Sequence, residues 1–178
     1  MIRLFAAVAI PGEIGEALTR RQQGLPGARW RPLENLHITL RFYGSLAEDR
    51  ADDLDAELGA LSAGRFDLTI EGVGFFDDGG EPRAVWAGLS ASPPLTHLAG
   101  RCETAARRAG LAPDRRAFRP HVTLAYLSGA DPAKVAAWMQ AHNLVKSPSF
   151  RVSAFGLYSS WRAEQGQTYR LERSYFLA

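Results

Sequence analysis

Two stretches of this chain, LHITLRFYG from Leu36 and PHVTLAYLS from Pro120, carry the same His-x-Thr alternation, and each falls on the third element of a repeated order. Strand-like runs at 2–9, 36–43 and 66–76 alternate with helical runs at about 12–23 and 48–62. The second half repeats this with VWAGL from Val85, a helix from about Pro94 to Ala109, PHVTLAYL, a helix from about Pro132 to His142, and FRVSAFGLYSS. The order is β-α-β-α-β twice, with pseudo-repeat halves of about 1–80 and 81–178 in one domain. The GGEPR stretch at 79–83 supplies flexible residues at the junction. A last strand, QTYRLERSYFL, is expected to close a sheet edge. A duplicated unit of this kind predicts an α/β (α+β) fold with a pseudo-two-fold axis that brings equivalent residues together at the centre.

The rest of the chain is compatible with one soluble unit. Its 178 residues suffice for one well-buried domain and are short for two independent catalytic ones. The apolar opening MIRLFAAVAI meets Pro11 and Glu13 at once and reads as a strand. No window approaches the roughly 18 uninterrupted apolar residues of a membrane helix, so a cytoplasmic protein that does not engage the membrane is expected. The lone Cys102 excludes an internal disulfide, and its spacing from Leu95 and Leu98 places it in a helix core. A formal net charge of +2 is too small to argue for nucleic acid by itself.

The paired motifs carry the chemistry. Strand alternation predicts His37, Thr39 and Arg41 on one face, with Ile38, Leu40 and Phe42 packing the core on the other. By the same rule Arg119, His121 and Thr123 share a face, with Val122 and Leu124 behind. Two imidazoles on opposite sides of a phosphate suit in-line displacement, one taking a proton from the attacking oxygen and the other protonating the leaving one. Histidine fits because its ordinary pKa of roughly 6.5 populates both protonation states near neutrality. Hydroxyls from Thr39 and Thr123 can donate to non-bridging oxygens, and Arg41 or Arg119 can offset the accumulating charge. A single His-x-Thr is commonly just a hydrogen-bonded histidine beside a strand-forming threonine; two at equivalent positions shift the balance to catalysis. No metal or other cofactor is required.

On these motifs, together with RLFAAVAIP, GVGFF at 72–76, AVWAGL, FRPHVTLAYL and FGLYSS, the chain resembles the 2H phosphoesterase superfamily over nearly its whole length. Within it, the likeness is to the bacterial and archaeal RNA 2′,3′-cyclic phosphodiesterases, also called 2′-5′ RNA ligases. The resemblance implies a bilobal fold, antiparallel-rich sheets forming a central cleft with helices outside, and a catalytic set of His37, Thr39, His121 and Thr123. It further implies hydrolysis of RNA 2′,3′-cyclic phosphate ends to 2′-phosphates, with His121 as general base and His37 as general acid. The two sites are near-symmetric in sequence, so this division of roles comes from the resemblance alone. By microscopic reversibility the same geometry permits ATP-independent 2′-5′ ligation, and no GxxxxGK[ST] loop is present. One departure is visible: many members read HLTLAR in the second motif, and here the arginine's place holds Tyr126.

RNA ends require contacts beyond the phosphate. Candidate substrate-binding residues are Arg41, Arg119, Tyr43, Phe75 and Tyr126, with Phe76, Trp86 and the cluster Arg107, Arg108, Arg115 and Arg116 as further possibilities. Each aromatic has a core role as its competing reading, and the arginines a solvated helix end. His97 and His142 sit in helices and are not expected to be catalytic. A metal hydrolase is disfavoured, since neither HExxH nor HxH occurs and no carboxylate alternates with either strand histidine. A non-catalytic RNA-binding module lacks an RRM-type aromatic signature. Cyclic mononucleotides stand as the alternative substrates to RNA ends. Since a pseudo-symmetric chain completes its own site, a monomer is expected.

Overall fold

The structure is a computed structural model that describes residues 1–178. Its elements run β1 (Ile2–Ala9), α1 (Gly12–Thr19), β2 (Ala28–Trp30), a 3-10 turn (Leu33–Asn35), β3 (His37–Leu46), α2 (Glu48–Gly59), β4 (Phe66–Leu68) and β5 (Ile70–Asp78). The chain continues through β6 (Glu81–Leu89), α3 (Pro93–Arg108), β7 (Val122–Leu127), α4 (Pro132–His142), β8 (Phe150–Val152), β9 (Ala154–Ala163) and β10 (Gly166–Phe176). The α/β class and the alternating order hold. The differences are local: α1 ends at Thr19, the 66–76 strand divides at Thr69, and the short β2 has no counterpart in the hydrophobic pattern.

Two four-stranded sheets form, in the orders β10-β9-β1-β3 and β2-β7-β6-β5, and every pairing is antiparallel. Each sheet draws on both halves of the chain. In the first, β9 from the second half lies beside β1; in the second, β5 from the first half lies beside the equivalent strand β6. The exchange is reinforced by β4 pairing with β8, its counterpart. Neither half completes a sheet without the other. The expected last strand does close an edge, as β10.

Gly79 and Gly80 adopt φ of 58° and 90° between β5 and β6, the left-handed pair that a two-residue hairpin turn requires. The Gly80 N–H donates to the Asp77 carboxylate across this turn. The expected flexible junction is therefore a tight hairpin within one sheet. Helices α2 and α3 lie against the first sheet and α4 against the second. The N-terminus of α3 is capped by Ser92 and that of α4 by Asp131, each followed by proline at the first helical position. Ile38, Leu40, Val122 and Leu124 are buried between sheets and helices, as the alternation predicts, and Val85 is buried with them. No helix is long and apolar enough to cross a membrane.

Candidate active site

His37 opens β3, and His121 immediately precedes β7. Both line one cavity of about 150 Å³ together with Thr39, Thr123, Phe76, Phe42, Tyr126, Tyr169, Asn35 and Arg31. The two His-x-Thr motifs thus come together across the sheets, in the arrangement expected from the duplication.

Each imidazole is oriented in the same way. His121 donates from Nδ1 to the carbonyl of Arg119, 2.6 Å away and two residues upstream. His37 is held by the backbone of Asn35, also two residues upstream, while its Nε2 lies 3.1 Å from the Thr39 hydroxyl. A carbonyl can only accept, so Nδ1 of His121 carries the proton when that ring is neutral, leaving its Nε2 as the free base. Asn35 is itself fixed, its side-chain amide donating to the Gln167 carbonyl of β10 at 2.9 Å. Phe5 stacks on the His37 ring at 4.9 Å and Tyr169 meets it edge-on at 5.2 Å. Phe76 packs edge-on against His121 at 4.8 Å. Trp86, opposite Thr123 in the ladder, lies beside it at 6.0 Å. Gly74 makes room for that indole: a Cβ there would meet the Trp86 ring at 2.2 Å.

Burial lowers the pKa of His37 from 6.5 to about 4, assisted by the positive charge of Arg31 and opposed by the Asn35 hydrogen bond. Burial also lowers that of His121, again against the pull of its backbone bond. Both rings are neutral at pH 7 in the free protein.

The substrate-binding candidates divide sharply, and in β3 and β7 a bulge after the His-x-Thr motif sets which side chains reach the cavity. Along β3, Thr39 pairs with Ala7 but Arg41 with Ala6, so Leu40 forms a bulge. Beyond it the faces exchange. Phe42 pairs with Phe5 and faces the cavity, where it is 47% exposed, contrary to the expected core role. Arg41 turns to the helix side, where it ion-pairs with Glu103 of α3 and donates to the carbonyls of Phe42 and Ala112. Tyr43 is buried in the core, under the Arg41 guanidinium. Neither Arg41 nor Tyr43 lines the cavity. In β7 the ladder passes from Thr123 opposite Trp86 to Ala125 opposite Val85, so Leu124 is the equivalent bulge. It delivers Tyr126 to the cavity, as expected of that residue.

Phe75 points away from the cavity, into a groove lined by Val135 and Met139 of α4; its neighbour Phe76 is the one that meets His121. Arg119 precedes the strand, is exposed, and lays its guanidinium 4.7 Å from the Phe76 ring. It lines an adjoining groove of about 710 Å³ that also borders Thr39 and His121. Of the cluster Arg107, Arg108, Arg115 and Arg116 upstream of it, only Arg116 joins it there, paired with Asp114. His97 is exposed on α3, and His142 lies near Arg21 and Trp138, remote from the cavity. Cys102 is fully buried, with its thiol pushed up to about 12 by burial.

Sequence reasoning missed Arg31. It follows β2, its backbone N–H donates to the Leu124 carbonyl, and it is only 8% exposed. Its guanidinium donates to the Tyr169 hydroxyl at 3.1 Å and sits 5.2 Å from the Tyr126 ring. No salt-bridge partner neutralises it. The positive charge absent at position 126 is therefore present in the cavity, held against Tyr126 from a neighbouring strand. The available signal was RWRP at 29–32, two cations about a tryptophan before a proline, and it is weak.

Comparison with known proteins agrees with this geometry. The chain is 29% identical over 172 residues to the RNA 2′,3′-cyclic phosphodiesterase of Archaeoglobus fulgidus, covering 95% of this chain and 97% of that one. It is 34% identical over 129 residues to the enzyme of that name from Escherichia coli, covering 68% and 70%. Among solved structures, E. coli LigT complexed with 3′-AMP superposes with a TM-score of 0.81 at 30% identity, covering 99% of this chain and 98% of that one. TT0787 of Thermus thermophilus gives 0.80 at 25% identity, covering 98% and 97%. The family model of the 2′-5′ RNA ligase superfamily matches residues 10–164, a span containing both His-x-Thr strands and the bulges that follow them. With fold, paired motifs and family match in accord, the chain belongs to the 2′-5′ RNA ligase superfamily.

Proposed function

We propose that the cavity hydrolyses 2′,3′-cyclic phosphate ends of RNA to 2′-phosphates by metal-independent in-line displacement. The observation that carries this reading is the matched pair of imidazoles, each held by the backbone two residues upstream and both bordering one small cavity. The names of the relatives support the substrate class. At about 150 Å³ the cavity falls below the ~300 Å³ at which pockets begin to enclose a drug-sized ligand. It suits the reacting phosphate and the edge of its ribose.

His121 borders both the cavity and the large adjoining groove, whereas His37 borders only the cavity, near Asn35 and Arg31. Water entering from the groove meets His121, which takes its proton through Nε2; His37 lies on the ribose side and protonates the departing 3′ oxygen. Binding of the phosphodiester anion offsets the burial and the Arg31 charge that hold His37 down, so the substrate itself loads the acid with its proton. Thr39 and Thr123 donate to non-bridging oxygens, and Arg31 supplies the charge compensation that sequence reasoning had sought in Arg41 or Arg119. No group of three His, Cys, Asp or Glu side chains gathers closely enough to hold a metal ion.

The same groove offers an entry for a 5′-hydroxyl in place of water, which would give 2′-5′ ligation. The reading includes a monomer, since one chain completes the site, acting in the cytoplasm on RNA ends. The test is hydrolysis of a short RNA ending in a 2′,3′-cyclic phosphate, in EDTA, for the wild type, His37→Ala and His121→Ala, with the product isomer identified. Turnover to 2′-phosphate that is lost in both variants supports the reading; activity removed by EDTA, or a 3′-phosphate product, overturns it.

A further inference from the structure

The cavity opens in two directions, and the two grooves differ in charge. In the first, of about 710 Å³, Arg41 and Arg116 are spent on Glu103 and Asp114, which line the same groove. The second, of about 500 Å³, shares Arg31, Asn35, Phe42, Tyr126 and Tyr169 with the cavity and continues past Arg3, Arg29 and Arg162. No carboxylate lines it. None of its four arginines has a salt-bridge partner, although the chain as a whole carries 19 acidic residues against 21 basic ones. Four unpaired guanidiniums along one path therefore reflect placement rather than composition.

The fold builds this path from both sheets. Arg3 lies two residues before Phe5, which stacks on His37, and so shares the cavity-facing side of β1. Arg162 lies on β9 in alternation with Tyr158, whose ring stacks on Phe5. Arg29 stands two residues before Arg31, in and just beyond β2. At the mouth, where groove and cavity join, Tyr126 and Phe42 are 40% and 47% exposed, offering ring faces on which unpaired bases can stack.

We infer that this groove holds the single strand upstream of the terminal cyclic phosphate, Arg3, Arg29 and Arg162 meeting successive backbone phosphates, so that the enzyme prefers oligonucleotide ends over cyclic mononucleotides. The inference rests on the phosphodiesterase reading of the cavity. It also puts the terminal ribose, which carries the leaving oxygen, on the His37 side.

The experiment compares kcat/KM for a tetranucleotide ending in a 2′,3′-cyclic phosphate with that for the matched cyclic mononucleotide, in the wild type and in Arg29→Ala/Arg162→Ala, across a KCl series. The wild type is expected to favour the tetranucleotide by about 10- to 100-fold. The double variant is expected to reduce that preference to a few-fold and leave the mononucleotide within about two-fold. With roughly 0.7 counterions released per phosphate contact on a single strand, the salt dependence of log kcat/KM for the tetranucleotide should become shallower by ~1.4. Equal losses on both substrates, or none on either, overturn the inference. If the wild type turns over neither substrate, the phosphodiesterase reading fails, and fluorescence anisotropy of a labelled single-stranded RNA then decides the groove. There, a Kd weakened about ten-fold or more in the double variant sustains it, and an unchanged Kd refutes it.

Discussion

The lowered pKa of His37 makes a sharp prediction about stability, because the unfolded chain regains an ordinary imidazole. A histidine held at about 4 when folded and 6.5 when unfolded binds its proton more tightly in the unfolded state. Its neutral form is no handicap above pH 6.5, and stability drains away as pH falls from 6.5 towards 4. The full gap corresponds to ~3.4 kcal/mol. Between pH 8 and pH 5 about 2 kcal/mol of this should be lost, an upper value because the ring borders an open cavity where solvent screens it. Urea denaturation at the two pH values, for wild type and His37→Asn, isolates the effect: asparagine can keep a donor towards the Asn35 carbonyl and cannot titrate. The wild type should lose about 1 to 2 kcal/mol more than the variant on acidification. Carboxylates do not confuse the comparison, since they titrate lower and are common to both proteins. Equal losses would show that His37 is not held neutral by burial, and the account of how substrate loads it with a proton would fall with it.

Arg31→Ala should lower kcat/KM by about 10²- to 10³-fold and raise the pKa of His37, whose lowering Arg31 assists; steady-state kinetics and an NMR titration of the ring check the two halves, and an unmoved ring titration would contradict the proximity argument. Inorganic phosphate should bind with net proton uptake at pH 6 to 7, because the anion raises both imidazoles from their lowered values; calorimetry in buffers of different ionisation enthalpy reads this, and zero uptake would count against it. Arg41→Ala should leave turnover within about three-fold while costing roughly 3 kcal/mol of stability, since it strands Glu103 without its partner; a large loss of kcat in a stably folded variant would restore Arg41 to the site.

How much of this was legible beforehand depended on whether a feature was local. The duplicated order of elements, the core role of Ile38, Val122 and Leu124, and the convergence of His37 and His121 follow from strand periodicity and from the pairing of like motifs in a repeat. Strand periodicity acts over a few residues, and a repeat shows itself when one half of the chain is matched against the other, so both are within reach of sequence inspection. Alternation failed where the ladder gained a residue: the bulges at Leu40 and Leu124 are absent from the hydrophobic pattern, because a bulged leucine still points into the core. Yet they decide that Phe42 and Tyr126 enter the cavity while Arg41 leaves it. Phe75 and Phe76 are adjacent, and only the register of β5 against β6 determines which ring meets His121.

Inspection of the chain alone was enough to pair His37 with His121 as one candidate site, because like motifs at equivalent positions of a repeat are drawn together at its pseudo-two-fold axis. Only the tertiary structure decided where the site's positive charge comes from. Arg31 follows a three-residue strand too short to register as a pattern, and it reaches the imidazoles because β2 pairs with β7 nearly a hundred residues further along the chain. The gathering of Arg3, Arg29 and Arg162 beside it is likewise a product of strand exchange between the halves. Contacts of such separation are fixed by which sheet edges meet, and that choice is made by the packing of the whole chain.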